Sequence, residues 1–129
     1  MVVVVTELEY QLQLAKFMFQ LCDICRQHVP DAETLVMALA VGIAEAEGNP
    51  LDISAVAAIT RLPRTTVLRK LRQREKQGKL VRLRDGRRVL LAPSDHQKLS
   101  KQRQDFFDQI EEAVRRCREA LAELDKVRL

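Results

Sequence analysis

Twelve lysines and arginines fall between Arg61 and Arg88, against only Glu75 and Asp85, so this segment carries a net charge of +10. The whole chain of 129 residues carries +4, which leaves −6 for everything outside the segment. Cations packed this densely suit a polyanion, because each one placed near a phosphate releases condensed counterions. A merely solvated helix face would mix the two signs. Within the segment, Thr65, Thr66, Arg69 and Gln73 add hydrogen-bonding groups at helical spacing. Arginine matches the guanine edge and glutamine the adenine edge, so such a face fits a major groove.

Other chemistry is thin. Cys22 and Cys25 form a C-x-x-C and Cys117 makes three, but there is no second pair. His28 and His96 have no ligand-like spacing, so a zinc site has little support. All three cysteines fall on apolar stripes, where cysteine acts as a small inert hydrophobe, and a redox switch is the alternative. The chain has no glycine-rich phosphate loop, nucleophile elbow or helix-borne metal motif, so neither an enzyme nor a cofactor is expected.

The elements that must position the basic residues follow from local signals. Asp52 caps a short helix, Ile53 to Thr60, with Ile53, Val56, Ala57 and Ile59 as its apolar face. A tight turn at Arg61-Leu62 leads to Pro63, at or just before the next helix, where a missing N–H costs nothing. That helix runs to about Gln77 and stops at Gly78. At 100° per residue, Val67, Leu68 and Leu71 share one side. Thr65, Thr66, Arg69, Gln73 and Lys76 fall opposite, with Lys70 and Arg72 on the flanks. Asp85-Gly86 then joins the β-prone runs Leu80–Arg84 and Arg87–Leu91, the signal of a hairpin with an arginine-rich tip.

Helix, turn, basic helix and basic hairpin make a winged helix-turn-helix. The sequence resembles the MarR family of bacterial transcription regulators through four stretches. Pro50-Leu51-Asp52-Ile53-Ser54 leads into the first helix, and Arg64-Thr65-Thr66-Val67 opens the second. Gly78-Lys79-Leu80-Val81-Arg82 enters the wing, and Asp85-Gly86-Arg87-Arg88-Val89-Leu90-Leu91 leaves it. Arg61 stands where the family usually has glycine, Pro63 where it usually has a capping serine, and the wing is shorter than is typical.

The basic module and the resemblance together imply a regulator that binds double-stranded DNA and represses by occluding a promoter. Two long apolar terminal helices imply a homodimer, unless the C-terminal stripe packs only on the chain's own N-terminal helix. Arg69, Gln73, Thr65 and Thr66 are then expected at bases or adjacent phosphates, and Arg64 and Lys70 at phosphates. Arg84, Arg87 and Arg88 would work at the wing. Asp85 would orient a wing arginine, unless it serves only the turn. Relatives often bind small aromatic acids, for which Phe17, Phe106 and Phe107 are candidates, and some are thiol switches. The alternative from another class is a winged helix used for protein interaction, without a specific DNA site.

The flanking sequence reads as helix. Thr6 with Glu9 forms a capping box for a helix to about Gln27. It carries two apolar stripes, Leu8, Leu12, Ala15, Phe19, Cys22 and Leu14, Phe17, Met18, Leu21, Cys25. So wide an apolar arc is usually buried on more than one side. Pro30 breaks this helix, and Asp31 caps another, Ala32 to Glu47, with Leu35, Leu39 and Ile43 toward the core. Ser94 caps a helix to near the end, where Phe107, Ile110, Val114, Cys117, Leu121 and Leu124 form a heptad seam.

The expected fold is therefore mostly α with a small β-hairpin wing, a winged helix-turn-helix with long N- and C-terminal dimerisation helices. Residues 1–30 and 94–129 would make the dimer, and 31–93 the DNA-binding module. No apolar run approaches ~18 residues and no signal peptide is evident, so no membrane is involved and a cytoplasmic place follows by default.

Overall fold

The computed structural model describes residues 2–128, with the side chains of 6–126. The elements run α1 (Val2–His28), α2 (Ala32–Ala46), α3 (Ile53–Thr60), α4 (Arg64–Lys76), β1 (Leu80–Asp85), β2 (Arg88–Pro93), α5 (Asp95–Lys98) and α6 (Lys101–Arg128). They divide into two compact units, α1 with α6 from Gln104 onward, and Val29–Arg103. The architecture is mostly helical with one two-stranded antiparallel hairpin, as the sequence indicates.

The Val29–Arg103 unit is built around one core. Met37 and Val41 of α2, Val56 of α3, Val67 and Leu71 of α4, Leu80 of β1 and Leu91 of β2 are all buried together. Leu51, Ile53, Ala57 and Leu62 close its margins. Burying a side chain such as Leu71 contributes roughly 1.5–3 kcal/mol. The caps are those the sequence dictates. Asp31 Oδ1 accepts from the Thr34 N–H at 2.7 Å, and Asp52 Oδ1 from the Ala55 N–H at 2.8 Å. These bonds satisfy donors that the first helical turn leaves orphaned.

Two details of this unit correct the sequence reading. The core side of α2 is Thr34, Met37 and Val41, whereas Leu39 and Ile43 are exposed and Leu35 is half-buried. The two stripes lie two residues apart, about 200° around the helix, and both are apolar enough to compete for the core. Ile59 of α3 likewise faces out.

The hairpin register pairs Leu80 with Pro93 and Asp85 with Arg88, which leaves Gly86-Arg87 as the two-residue turn. Gly86 sits at φ 62 while Arg87 keeps a negative φ, the pattern of a type II′ turn, whose first central residue is usually glycine. The turn thus lies one residue later than an Asp-Gly centre would place it. At the base of the wing, Ser94 Oγ donates to the Gly78 carbonyl at 2.6 Å and the Ser94 N–H donates to Lys79 O at 3.0 Å. The other edge of β2 is held where the Leu91 N–H donates to Leu51 O at 2.8 Å.

The terminal helices differ from expectation in detail. α1 begins at Val2, so Thr6 lies a turn inside it, buried, and is not an N-cap. The helix expected from Ser94 is interrupted at Leu99-Ser100. Ser94 Oγ accepts from the Gln97 N–H, and Ser100 Oγ accepts from the Arg103 N–H at 3.1 Å, so each serine starts its own helix. In the α1–α6 unit, His28 bonds Gln109 at 3.1 Å and its ring meets Phe106 edge-on, with centroids 5.4 Å apart. The seam residues Ile110, Val114, Cys117, Leu121 and Leu124 are half-buried, Ala113 is fully buried, and Phe107 is exposed.

Candidate nucleic-acid interface

α4 owes its orientation to its sequence. Val67 and Leu71 are fully buried, and this forces the residues on the far side of the helix into solvent. There Thr65, Arg69, Arg72, Gln73 and Lys76, with Leu68 at the margin, line one open groove. The groove offers one hydroxyl, one amide and three cations along a single helix face. Arg72 and Lys76 are not among the expected site residues; Lys76 lies on the outward face as expected, whereas Arg72, expected on the flank, stands on that face too. Thr66, expected on the same face, is half-buried and does not line the groove.

The helix enters this surface from an unusual turn. Arg61 closes α3 in the left-handed region, at φ 59 and ψ 30, without being glycine. Pro63 occupies the N-cap of α4 and provides no side-chain cap. Arg64 follows, exposed, its Nη1 donating to Ser54 Oγ at 2.6 Å. The turn therefore presents one cation at each end.

Lys70 departs most from its expected place. Its side chain is only 9% exposed, and Nζ lies 2.8 Å from Asp31 Oδ2 and 3.9 Å from Glu33. It does not line the groove and is paired with Asp31 at the start of α2, whereas a phosphate contact was expected of it. The Lys70 hydrogen bond, with the Thr34 backbone N–H, lowers the Asp31 carboxyl to about 2. Both partners stabilise the ionised form.

On the wing, Arg84 and Arg87 are exposed. Arg88 is exposed too, but its Nη2 lies 3.5 Å from Asp52 Oδ2. The carboxylate that pairs with a wing arginine is thus the cap of α3 rather than Asp85. Arg82 is spoken for as well, because its Nε and Nη2 both reach Glu75 Oε1, at 2.9 and 2.8 Å. That bond raises the Arg82 pKa further, whereas burial lowers that of Arg74. The twelve cations of the segment therefore divide. Some are consumed in holding α4 and the wing to the module, and the rest stand on the groove, the turn and the wing tip.

The cysteines lie elsewhere. Cys22 is exposed, and Cys25 and Cys117 are half-buried, so Cys22 is no core residue within this chain. Burial, and then the charge of Cys22, pushes the Cys25 thiol up.

A helix-turn-helix with a hairpin wing and an outward polar second helix is the winged-helix architecture, and solved structures share it. The complex of NadR with 4-hydroxyphenylacetate superposes at a TM-score of 0.62 with 22% identity, covering 88% of this chain and 78% of that one. A MarR family protein from Bacillus stearothermophilus gives 0.55 with 19% identity, over 94% and 79% of the two chains. A disulfide-formed structure of AbfR gives 0.57 with 16% identity, over 92% and 83%. No family model matches the sequence, and neither does any curated protein. The chain has the winged-helix fold of MarR-family structures.

Proposed function

We propose that this chain binds specific sequences of double-stranded DNA as a homodimer and represses transcription by occluding a promoter. The observation that carries this reading is the outward face of α4, where Thr65, Arg69, Arg72, Gln73 and Lys76 stand together in a module of concentrated positive charge. In this reading Arg69 and Gln73 meet base edges, and Thr65 and Thr66 meet bases or adjacent phosphates. Arg64 anchors a phosphate, and Arg84, Arg87 and Arg88 hold the backbone or minor groove from the wing.

The dimer is supported by α1, whose Leu8, Leu12, Met18 and Phe19 are all exposed, Phe19 by 76%. Apolar surface on that scale marks an interface. A two-fold dimer would present two copies of α4 to half-sites one helical turn apart. NadR binds 4-hydroxyphenylacetate, and a small aromatic acid is the effector class we assign to this chain. Phe106, packed edge-on to both Phe107 and His28, and the half-buried Phe17 are its candidate ring contacts. The dimer would operate in the cytoplasm, and no described helix is long and apolar enough to cross a membrane.

Selection from a random duplex pool tests the proposal. A recovered palindromic motif, with retention falling by orders of magnitude between about 50 and 200 mM salt, is the expected result. No retention at about 50 mM salt would favour a winged helix used for protein interaction instead.

A further inference from the structure

Lys70 differs from every other cation proposed for DNA contact. Arg64, Arg69, Arg84, Arg87 and Arg88 are exposed, whereas the Lys70 ammonium is buried against Asp31. Asp31 uses both carboxylate oxygens. Oδ1 caps α2 through the Thr34 N–H, and Oδ2 accepts from Lys70 at 2.8 Å, across 39 positions of sequence. Lys70 is buried while the Asp31 side chain is 40% exposed, so the pair is part-buried, and rotating Lys70 toward solvent would exchange its hydrogen bond for water and leave Asp31 without its cation.

The consequence lies in the rotation of α4. Neighbouring residues are 100° apart on a helix, so fixing Lys70 against the start of α2 fixes where Arg69 points. Val67 and Leu71 also face inward, but apolar contacts are non-directional and tolerate small rolls of a helix. The Lys70 Nζ bond to Asp31 Oδ2 at 2.8 Å adds one directional contact that ties the flank of α4 to the first turn of α2. Reading a base edge requires a side chain placed to within a fraction of an ångström, which a roll of α4 would spoil.

We propose that Lys70 is a positioning residue. Burial of Val67 and Leu71 sets which face of α4 turns outward, and the ion pair of Lys70 with Asp31 fixes the small roll that remains, while Lys70 itself touches no phosphate. This rests on the DNA-binding reading above and assigns a different role to one residue of that module.

The two roles differ in their salt dependence. A lost phosphate contact lowers the salt slope by about one and weakens specific and random DNA alike. A lost positioning contact leaves the slope unchanged and lowers discrimination between them. Lys70→Met removes the charge but keeps an unbranched side chain. Asp31→Asn keeps a good N-cap through its amide oxygen and puts an NH2 donor where Lys70 had its carboxylate acceptor, so both the counter-charge and the hydrogen bond are lost. Each variant is expected to lose about tenfold or more in discrimination, the size of one misplaced base contact, at an unchanged salt slope on random duplex. The double variant should lose little more than either single one, because both act through the same pair. A Lys70→Met slope lower by about one, with discrimination intact, would make Lys70 a phosphate ligand and overturn the proposal.

Amide hydrogen exchange on the free protein separates this from failure of the DNA-binding reading. Asp31→Asn should speed exchange in α4 and leave the α1 and α6 amides unchanged. Unchanged exchange in α4 would remove the lock whatever the protein binds. A locked helix in a wild-type protein that selects no sequence would instead sink the DNA reading alone.

Discussion

Asp52 and Arg88 join the first helix of the helix-turn-helix to the wing. The Arg88 Nη2 lies 3.5 Å from Asp52 Oδ2, while Oδ1 of the same carboxylate caps α3. Asp31 does the same for α2 and Lys70, so both capping aspartates hand their second oxygen to a cation of the basic segment. Asp52→Asn should keep the cap and release Arg88. An exposed pair contributes at most about 1 kcal/mol, so the melting temperature should barely move. Because Arg88 must leave Asp52 to reach DNA, Asp52→Asn should tighten binding to random duplex at an unchanged salt slope. Unchanged affinity would show that Asp52 does not restrain Arg88.

The Asp31–Lys70 pair carries a pH signature. The carboxyl of Asp31 is lowered to about 2 from an unperturbed 3.8, so the unfolded chain binds the extra proton between those values. The stability it contributes is fully present above the unfolded pKa and falls as pH drops through the folded one. Glu33, 3.9 Å from Lys70, is the other carboxylate facing the ammonium. Denaturant unfolding of wild type and Asp31→Asn should show a gap at neutral pH that closes between about pH 4 and 2. A gap that stays constant over that range would assign the effect to something other than the ionised Asp31.

Arg69 and Arg87 are expected to separate reading from anchoring. Arg69 lines the α4 groove, whereas Arg87 is the second residue of the hairpin turn. Arg69→Ala should cost ~1–3 kcal/mol on the selected site and little on random duplex. Arg87→Ala should weaken both similarly and lower the salt slope by about one. Titration of both variants at three salt concentrations decides this. Equal losses from Arg69→Ala on the two duplexes would make it a phosphate anchor.

Arg61 holds a left-handed conformation at φ 59 without being glycine. That conformation costs an L-residue roughly 1–2 kcal/mol, and glycine gives back about 0.5–1 through unfolded-state entropy, so Arg61→Gly should stabilise by about 0.5–1 kcal/mol. Thermal melting reads the effect. A destabilised variant would mean that the Arg61 side chain contributes more than its backbone costs.

Phe19 tests the dimer without disturbing a core, since it is largely exposed within one chain. Phe19→Asp should leave helical circular dichroism in place and yield monomer by sedimentation, because an unpaired charge in an apolar interface is costly. A dimer of unchanged affinity would remove this face of α1 from the interface.

Local features were legible in the sequence because they are decided within one turn of chain. The caps at Asp31 and Asp52, the stop at Gly78 and the hairpin all depend on groups two to four residues apart. The charge of the Arg61–Arg88 segment and the polar face of α4 follow from composition and 100° spacing alone. Periodicity finds the residues that share a face, but it does not choose between two apolar faces. In α2 the stripe of Met37 and Val41 won over that of Leu39 and Ile43 only when α3, α4 and β2 closed around it. The tertiary fold alone likewise decided which cations remain free. Lys70 and Arg69 are neighbours of the same charge, but Lys70 sits on the flank of α4 beside buried Val67, where Asp31 from 39 positions away receives it, and Arg69 stays on the groove.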